Sequence, residues 1–407
     1  MDATLAVFAL CYLGMLLGGL PGLALDRTGV ALLAAIALVA LGEATPAQAW
    51  QSIDVPTVAL LFGLMIVSAQ LELAGFYEAV TRRTSALPVS PPALLAAVVA
   101  VAGLLSAVLA NDIVCLAMAP LLVEGCARRR LDPVPYLLAL CAAANVGSAA
   151  TLIGNPQNML IGEVLGLDFA RYLAAAAVPA ALGLAVVWAV VAAAHRGRWE
   201  AGTPRDAAVD AAPWRPWQAA KGIAAVLALA AAFLATDWPR EVVALGAAGA
   251  LLASRETNSR ALLAKVDGQL LVLFIGLFVV HGALSASGHV DRAFEALRAA
   301  GVDPSRAPVL FSLSAVLSNL VSNVPATMLL LPAAARAEGG AEAGGALLAL
   351  SSTLAGNFLL VGSIANLIVA DQAARLGVRI GWREHARVGV PVTIATLAIA
   401  AAWLALR

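Results

Sequence analysis

The chain has 407 residues, of which 62% are hydrophobic and 12% are charged, and its formal net charge is zero. A soluble domain carries about 25% charged residues, so this composition, with a mean hydropathy of +0.90, indicates an all-α protein that crosses the lipid bilayer several times. The zero net charge provides no basic surface for nucleic acid, and that class of partner is excluded.

Apolar runs follow one another along the chain in two sets of six. The first set lies at 4–24, 29–42, 55–76, 92–123, 136–165 and 172–195, and the second at 218–236, 241–254, 267–288, 307–335, 345–371 and 386–406. A shift of about 212 residues superimposes polar landmarks of the two sets, such as Asn111 on Asn323. We therefore predict two repeats, 1–195 and 218–407, joined by a linker at 196–217.

Two runs in each repeat are interrupted by polar or turn-forming residues. The runs 92–123 and 307–335 are too long for one straight span, because about thirty helical residues extend about 45 Å and the hydrocarbon core is about 30 Å thick. We predict that they are re-entrant hairpins. The runs 136–165 and 345–371 contain Gly, Pro and Ser breaks and are predicted to be broken helices at the membrane midplane. Five spans and one hairpin per repeat invert the second repeat relative to the first.

The basic residues give a separate prediction of orientation, because cytoplasmic loops are richer in Lys and Arg. If the first hairpin enters from the cytoplasm, most of the 25 basic residues lie on the cytoplasmic side together with the linker. Both termini are then predicted to be periplasmic.

Inverted repeats with interrupted hydrophobic segments at matching positions are typical of secondary transporters, whose substrates bind near the midplane. A broken helix exposes N–H groups that favour anions and C=O groups that favour cations. The predicted substrate-binding residues are Asn111, Asn158, Asn323, Asn366, Ser322, Gly154, Asn155, Gly362 and Ser363. The alternative for the Asn residues is hydrogen bonding between helices, which is common in membranes.

Asp112 lies inside an apolar run, where a carboxylate costs about 2.5 to 3.5 kcal/mol and by default marks function. Three roles are open for it: binding a coupling Na⁺, carrying a coupling proton, or capping the hairpin. The predicted coupling-ion residues are Asp112, Asn111, Asn145, Asn323 and Asn357. No cofactor or metal is predicted beyond Na⁺ or H⁺. We expect no enzyme, because no Ser-His-Asp, HExxH or carboxylate-pair motif is visible.

The strongest motifs of the two repeats read TLIGNPQNMLIG, LSNLVSNVPATMLLLP and STLAGNFLLVGSIANLIV. They resemble the ion transporter superfamily that includes arsenite permeases, NhaD-type Na⁺/H⁺ antiporters, citrate carriers and divalent-anion/sodium symporters. The dicarboxylate symporters carry Ser-Asn-Thr at each hairpin tip. The tips here, Ala110-Asn111-Asp112 and Ser322-Asn323-Val324, keep the Asn and lose the Thr, and the first is more similar to the arsenite permeases.

The resemblance implies a transport domain that moves against a scaffold, and a homodimer. We predict a secondary active transporter that moves a small anion, a di- or tricarboxylate or an inorganic oxyanion, across the bacterial inner membrane with Na⁺ or H⁺. The alternatives are an arsenite or antimonite efflux permease and a Na⁺/H⁺ antiporter.

Overall fold

The structure, a computed structural model, describes residues 2–20, 22–200 and 213–407. Within these ranges it contains twenty α-helices and one 3₁₀ turn, which confirms the predicted all-α fold. Residues 201–212 of the predicted linker lie outside the described residues.

Ten helices form the first half of the chain and ten form the second. The first half has α1 (Ala3–Leu17), α2 (Arg27–Ala40), α3 (Pro46–Gln51), α4 (Val55–Leu73), α5 (Phe76–Ser85), α6 (Pro91–Val108), α7 (Asn111–Arg128), α8 (Val134–Ser148), α9 (Pro156–Val164) and α10 (Phe169–Ala194). The second half has α11 (Pro216–Ala235), α12 (Arg240–Leu252), α13 (Ser259–Leu263), α14 (Gly268–Ala286), α15 (His289–Ala299), α16 (Ala307–Val321), α17 (Asn323–Ala335), α18 (Gly340–Ala355), a 3₁₀ turn (Leu360–Gly362), α19 (Ile364–Arg375) and α20 (Trp382–Ala405).

The two halves correspond helix by helix, and their packing is reciprocal. Helix α4 packs against α12, and the corresponding α14 packs against α2. A Cβ atom on Gly63 of α4 would lie 2.7 Å from the carbonyl carbon of Ala244, and one on Gly276 of α14 would lie 2.8 Å from that of Ala31. Each crossing therefore requires glycine at the same place. We call α1, α2, α4, α11, α12 and α14 the frame.

The remaining long helices, α6–α10 and α16–α20, form what we call the core. The predicted hairpin 92–123 corresponds to α6 and α7, which Leu109 and Ala110 separate. The hairpin 307–335 corresponds to α16 and α17, which turn at Ser322. The predicted broken helices correspond to α8 with α9 and to α18 with α19. Short helices α5 and α15 precede the hairpins.

Six of the described helices, α4, α6, α10, α11, α14 and α20, are long and apolar enough to cross a membrane by length and composition. Their outer faces expose large apolar side chains, such as Leu104 and Leu227, as expected for contact with lipid. Helix α1 is shorter than the predicted run 4–24, because Gly18 adopts φ 77° and ends it. The ten-span topology stays a prediction.

Candidate substrate and ion site

The first turns of four core helices meet around one small cavity. Helices α7, α9, α17 and α19 begin at Asn111, Pro156, Asn323 and Ile364. The lining residues are Asn111, Asp112, Pro156, Gln157, Leu270, Ser322, Asn323, Val324, Ser363 and Ile364. Each helix start presents N–H groups without intrahelical partners and a partial positive charge. The cavity volume is about 20 Å³, which is room for a water molecule or a bare ion.

The ionisable side chains near this cavity, among the residues that the structure describes, are carboxylates. Asp112 is half-buried and has no ion pair among the described residues. Asp267, which caps the frame helix α14, is close enough to interact with Asp112 electrostatically. In the described ranges, no Lys or Arg lines the cavity. An anion bound here would be held by helix N-termini, amides and hydroxyls.

The two hairpin-tip asparagines each present an amide oxygen without a partner. Asn111 donates from Nδ2 to Asn145 Oδ1 at 3.2 Å and from its backbone N–H to the Gly154 carbonyl at 3.1 Å. Its Oδ1 is buried and accepts no hydrogen bond, and the same holds for Asn323 Oδ1. A buried acceptor left unpaired costs about 1 to 3 kcal/mol. Both oxygens are therefore suited to accept from a ligand hydroxyl or to coordinate a cation.

Asn145 lies at the centre of the core, where the two broken helices cross. Its Nδ2 donates to Asn357 Oδ1 at 2.8 Å and to Asn366 Oδ1 at 3.1 Å. Its Oδ1 accepts from Ser363 Oγ at 2.9 Å, in addition to the bond from Asn111. The structure thus brings the predicted residues Asn145 and Asn357 together, behind the cavity lining rather than in it.

Asn158 and Asn366 hold the two helix breaks in place. Asn158 Nδ2 donates to the Thr151 carbonyl at 2.9 Å and to Tyr172 Oη at 3.1 Å. Asn366 Nδ2 donates to the Gly356 carbonyl at 2.9 Å and to the Leu359 carbonyl at 3.2 Å. Neither residue lines the cavity. The arrangement favours the helix-to-helix alternative for these two amides, and their contact with substrate stays a prediction.

The break residues themselves lie close to the cavity. Asn155 caps α9 by accepting from the Asn158 backbone N–H at 2.9 Å, and Ser363 holds the equivalent position before α19. A Cβ on Gly154 would lie 2.3 Å from the Ser148 carbonyl oxygen, and one on Gly362 would lie 2.8 Å from Asn319 Oδ1. Gly154 is therefore needed for close approach of the backbone, whereas a Cβ on Gly362 would mainly meet the amide end of the Asn319 side chain.

Sequence reasoning missed Gln157 and Thr353. Gln157 lines the cavity and donates from Nε2 to Thr353 Oγ1 at 3.1 Å. Thr353 Oγ1 in turn donates to Asn158 Oδ1 at 3.1 Å, which joins the second repeat to the first. The sequence did contain a signal for Gln157, because this residue directly follows Pro156 at a helix start. No sequence signal pointed to Thr353.

The second hairpin tip carries backbone strain. Ser322 has φ 77° and ψ 159°, a conformation that is essentially restricted to glycine and costs about 1 to 3 kcal/mol in other residues. The equivalent residue of the first tip, Ala110, has φ −58° and ψ 122°. Strain of this kind concentrates at functional sites, and Ser322 lines the cavity.

Comparison with known proteins places this architecture in a family. Residues 12–350 match the family CitMHS, described as citrate transporter. The chain belongs to the CitMHS family. It is 31% identical to the uncharacterized transporter Mb2703 of Mycobacterium bovis, with 94% of each chain covered. It is 28% identical to the silicon efflux transporter LSI3 of Oryza sativa subsp. japonica, with 93% of this chain and 92% of the relative covered.

The fold of this CitMHS protein is similar to that of a solved transporter. The crystal structure of the YdaH transporter of Alcanivorax borkumensis, described as having an unusual topology, matches with a TM-score of 0.57 and 18% identity. The match covers 100% of this chain and 98% of the other. The predicted resemblance to the ion transporter superfamily is confirmed, and the protein is a multi-pass membrane transporter.

Proposed function

We propose that this chain is a secondary active transporter that moves a small oxyanion, or the corresponding neutral oxyacid, across the bacterial inner membrane by alternating access coupled to Na⁺ or H⁺. One observation carries the proposal: four helix N-termini and the two tip asparagines with unpaired amide oxygens surround a cavity, and no basic side chain of the described residues lines it.

The chemistry of the lining matches an oxygen-rich substrate. The helix N-termini donate to substrate oxygens, and the oxygens of Asn111 and Asn323 accept from substrate hydroxyls. A polyanion without a bound cation would be repelled by Asp112. The family is described as citrate transporter and a relative as a silicon efflux transporter, and we infer that an oxygen-bearing small molecule is also the substrate here.

Asp112 is the residue that we propose for cation coupling. A half-buried carboxylate at membrane depth is costly unless it binds a cation or a proton. Asp112 and the free oxygen of Asn111 offer hard oxygen ligands to Na⁺, and Asp112 alone could carry H⁺. Either cation would neutralise the carboxylate, so that an anion can bind beside it.

The division between frame and core supports alternating access. The core provides every lining residue except Leu270, which belongs to frame helix α14. A movement of the core against the frame would therefore carry nearly the whole binding site. We further propose periplasmic termini and a homodimer.

Efflux of arsenite or antimonite is the second candidate, and the combination of donors and acceptors in the cavity lining favours it. A small neutral trihydroxide needs both donors and acceptors, and the lining offers both.

Transport into proteoliposomes tests the proposal. The substrates are labelled citrate, succinate, silicate and arsenite, under an imposed Na⁺ or H⁺ gradient. We expect gradient-dependent uptake of one class, lost in Asn111→Ala and Asn323→Ala. The matched control is Asn258→Ala, which removes the cap of the short helix α13 and should leave uptake unchanged. Normal transport by both tip variants would refute the proposed site.

A further inference from the structure

A half-buried arginine of the frame clamps the end of a core helix. Arg240, the first residue of α12, donates from Nε to Glu163 Oε1 of α9 at 2.7 Å. Its two terminal nitrogens donate to the Leu167 carbonyl at 2.8 Å and to the Gly162 carbonyl at 2.7 Å. The side chains of Arg240 and Glu163 are only 13% and 9% exposed. A guanidinium that makes three charge-assisted hydrogen bonds is a strong and geometrically specific contact.

The other repeat contains the same two charges at the equivalent positions. Arg27 is the first residue of α2, as Arg240 is of α12. Asp371 of α19 is the equivalent of Glu163, at the same offset that superimposes Gly154 on Gly362. An arginine on the frame and a carboxylate on the core thus recur in both halves.

In the second repeat this contact is not made. Among the described residues Arg27 has no ion pair, and its Nε is buried without a hydrogen-bond partner. Asp371 instead pairs with Arg375 of its own helix at 2.9 Å, and both of those side chains are largely exposed. The unpaired guanidinium and the exposed carboxylate are free to meet if α19 approaches the frame.

Helix packing shows the same asymmetry. Helix α9 packs against frame helix α4, whereas no comparable packing joins the equivalent helices α19 and α14 in the described part of the chain. Tyr12 of frame helix α1 also donates to the Pro325 carbonyl of the second hairpin at 3.1 Å. The position equivalent to Tyr12 in the second repeat is occupied by alanine. The frame therefore holds the core through α9 and the second hairpin.

We propose that Arg240–Glu163 and Arg27–Asp371 are reciprocal clamps that hold the core against the frame in two alternating states. The proposal rests on the proposed function, because it requires the core to move. When the two repeats exchange conformations, Arg240 releases Glu163, and Asp371 leaves Arg375 to bind Arg27. In the predicted topology Arg240 faces the periplasm and Arg27 the cytoplasm. The present structure then has its periplasmic side clamped.

The four residues are positioning residues, since none of them lines the cavity. Their loss should change the ratio of the two states rather than substrate contacts. Glu163→Gln weakens the clamp that is formed here, and Asp371→Asn weakens the clamp of the other state. The two variants should therefore shift the state ratio in opposite directions, each by about tenfold, as expected for a charge-assisted contact of this kind.

A distance measurement between frame and core tests this. Spin labels are placed at Trp50→Cys of α3, which packs against frame helices α2 and α14, and at Leu104→Cys of the core. Both positions are exposed, and the four native cysteines are buried. Double electron–electron resonance in lipid nanodiscs reports the two populations without added substrate. The matched control is Glu72→Gln, which breaks the 2.7 Å Lys265–Glu72 pair within the frame and should shift neither population.

Depletion of the present state in Glu163→Gln together with its enrichment in Asp371→Asn supports the clamps. Unchanged populations in both variants, or shifts in the same direction, overturn them. Because Asp371 is exposed, Asp371→Asn tests the proposal even if Glu163→Gln fails to fold. If the wild type transports and shows two distance populations, but neither variant changes their ratio, the clamps alone are refuted. A single population in a wild type without uptake refutes the proposed function as well.

Discussion

Replacing Asn145 by alanine should strongly destabilise the core. The amide makes hydrogen bonds to Asn111, Asn357, Asn366 and Ser363, at distances between 2.8 and 3.2 Å. Each partner atom makes no other side-chain bond that could replace the one to Asn145. The substitution therefore leaves one donor or acceptor unpaired on each of the four partners.

The magnitude follows from these four bonds. A side-chain hydrogen bond between membrane helices contributes about 0.6 kcal/mol on average and about 1.7 kcal/mol at most. Four such bonds give a loss of about 2 to 7 kcal/mol in the free energy of unfolding. Ser314→Ala is the matched control, because Ser314 is equally buried and makes a single long bond of 3.5 Å to the Leu348 carbonyl. It should lose about 0.6 kcal/mol or less.

Unfolding of the purified protein in mixed micelles, with increasing denaturing detergent, measures both values. If Asn145→Ala is as stable as Ser314→Ala, the four bonds do not stabilise the crossing of the broken helices, and the reasoning is wrong.

Three further predictions test other parts of the structure. Ser322→Gly relieves the backbone strain of the second tip, because glycine adopts a positive φ without strain, and it should raise the free energy of unfolding by about 1 kcal/mol. A free energy of unfolding below that of the wild type in the same detergent titration would show that Ser322 is not strained. Gly63→Ala and Gly276→Ala should each lower the free energy of unfolding by about 1 to 3 kcal/mol, because they overpack the two equivalent helix crossings. Gly246→Ala, where a Cβ meets nothing within 4 Å, should lose nothing, and equal losses in all three would contradict the assigned crossings. Asp112→Asn should abolish the dependence of uptake on the cation gradient, and unchanged gradient dependence in proteoliposomes would exclude Asp112 from coupling.

The elements around the site could be predicted from the sequence because polar groups are costly inside apolar runs. Asn111 and Asn323 marked the tips, and α7 and α17 begin at these residues. Gly154 and Gly362 marked the breaks, since a helix that continues through them would need no glycine. The correspondence of the two repeats could be predicted because these polar residues recur at matching positions in both.

The roles of individual amides could not be predicted, because they depend on which carbonyls the fold brings near. Asn158 and Asn366 are polar residues within apolar runs, as Asn111 is. They nevertheless bind backbone carbonyls of the helix breaks and do not line the cavity. The clamp between Arg240 and Glu163 joins residues far apart in sequence, and nothing in either local pattern indicates the partner. Strain at Ser322 is equally invisible, since serine gives no sign of a positive φ.

Ligand-dependent stability is the most direct test of the central claim that the four helix N-termini and the two tip amides bind the substrate. The unfolding of the wild type and of the double variant Asn111→Ala/Asn323→Ala is compared with arsenite, silicate, citrate and succinate, with and without Na⁺. A ligand at one hundred times its Kd should stabilise the wild type by about 2.7 kcal/mol, and the double variant should show none of this gain. Equal stabilisation of both proteins, or no stabilisation of the wild type by any of these compounds, would contradict the account.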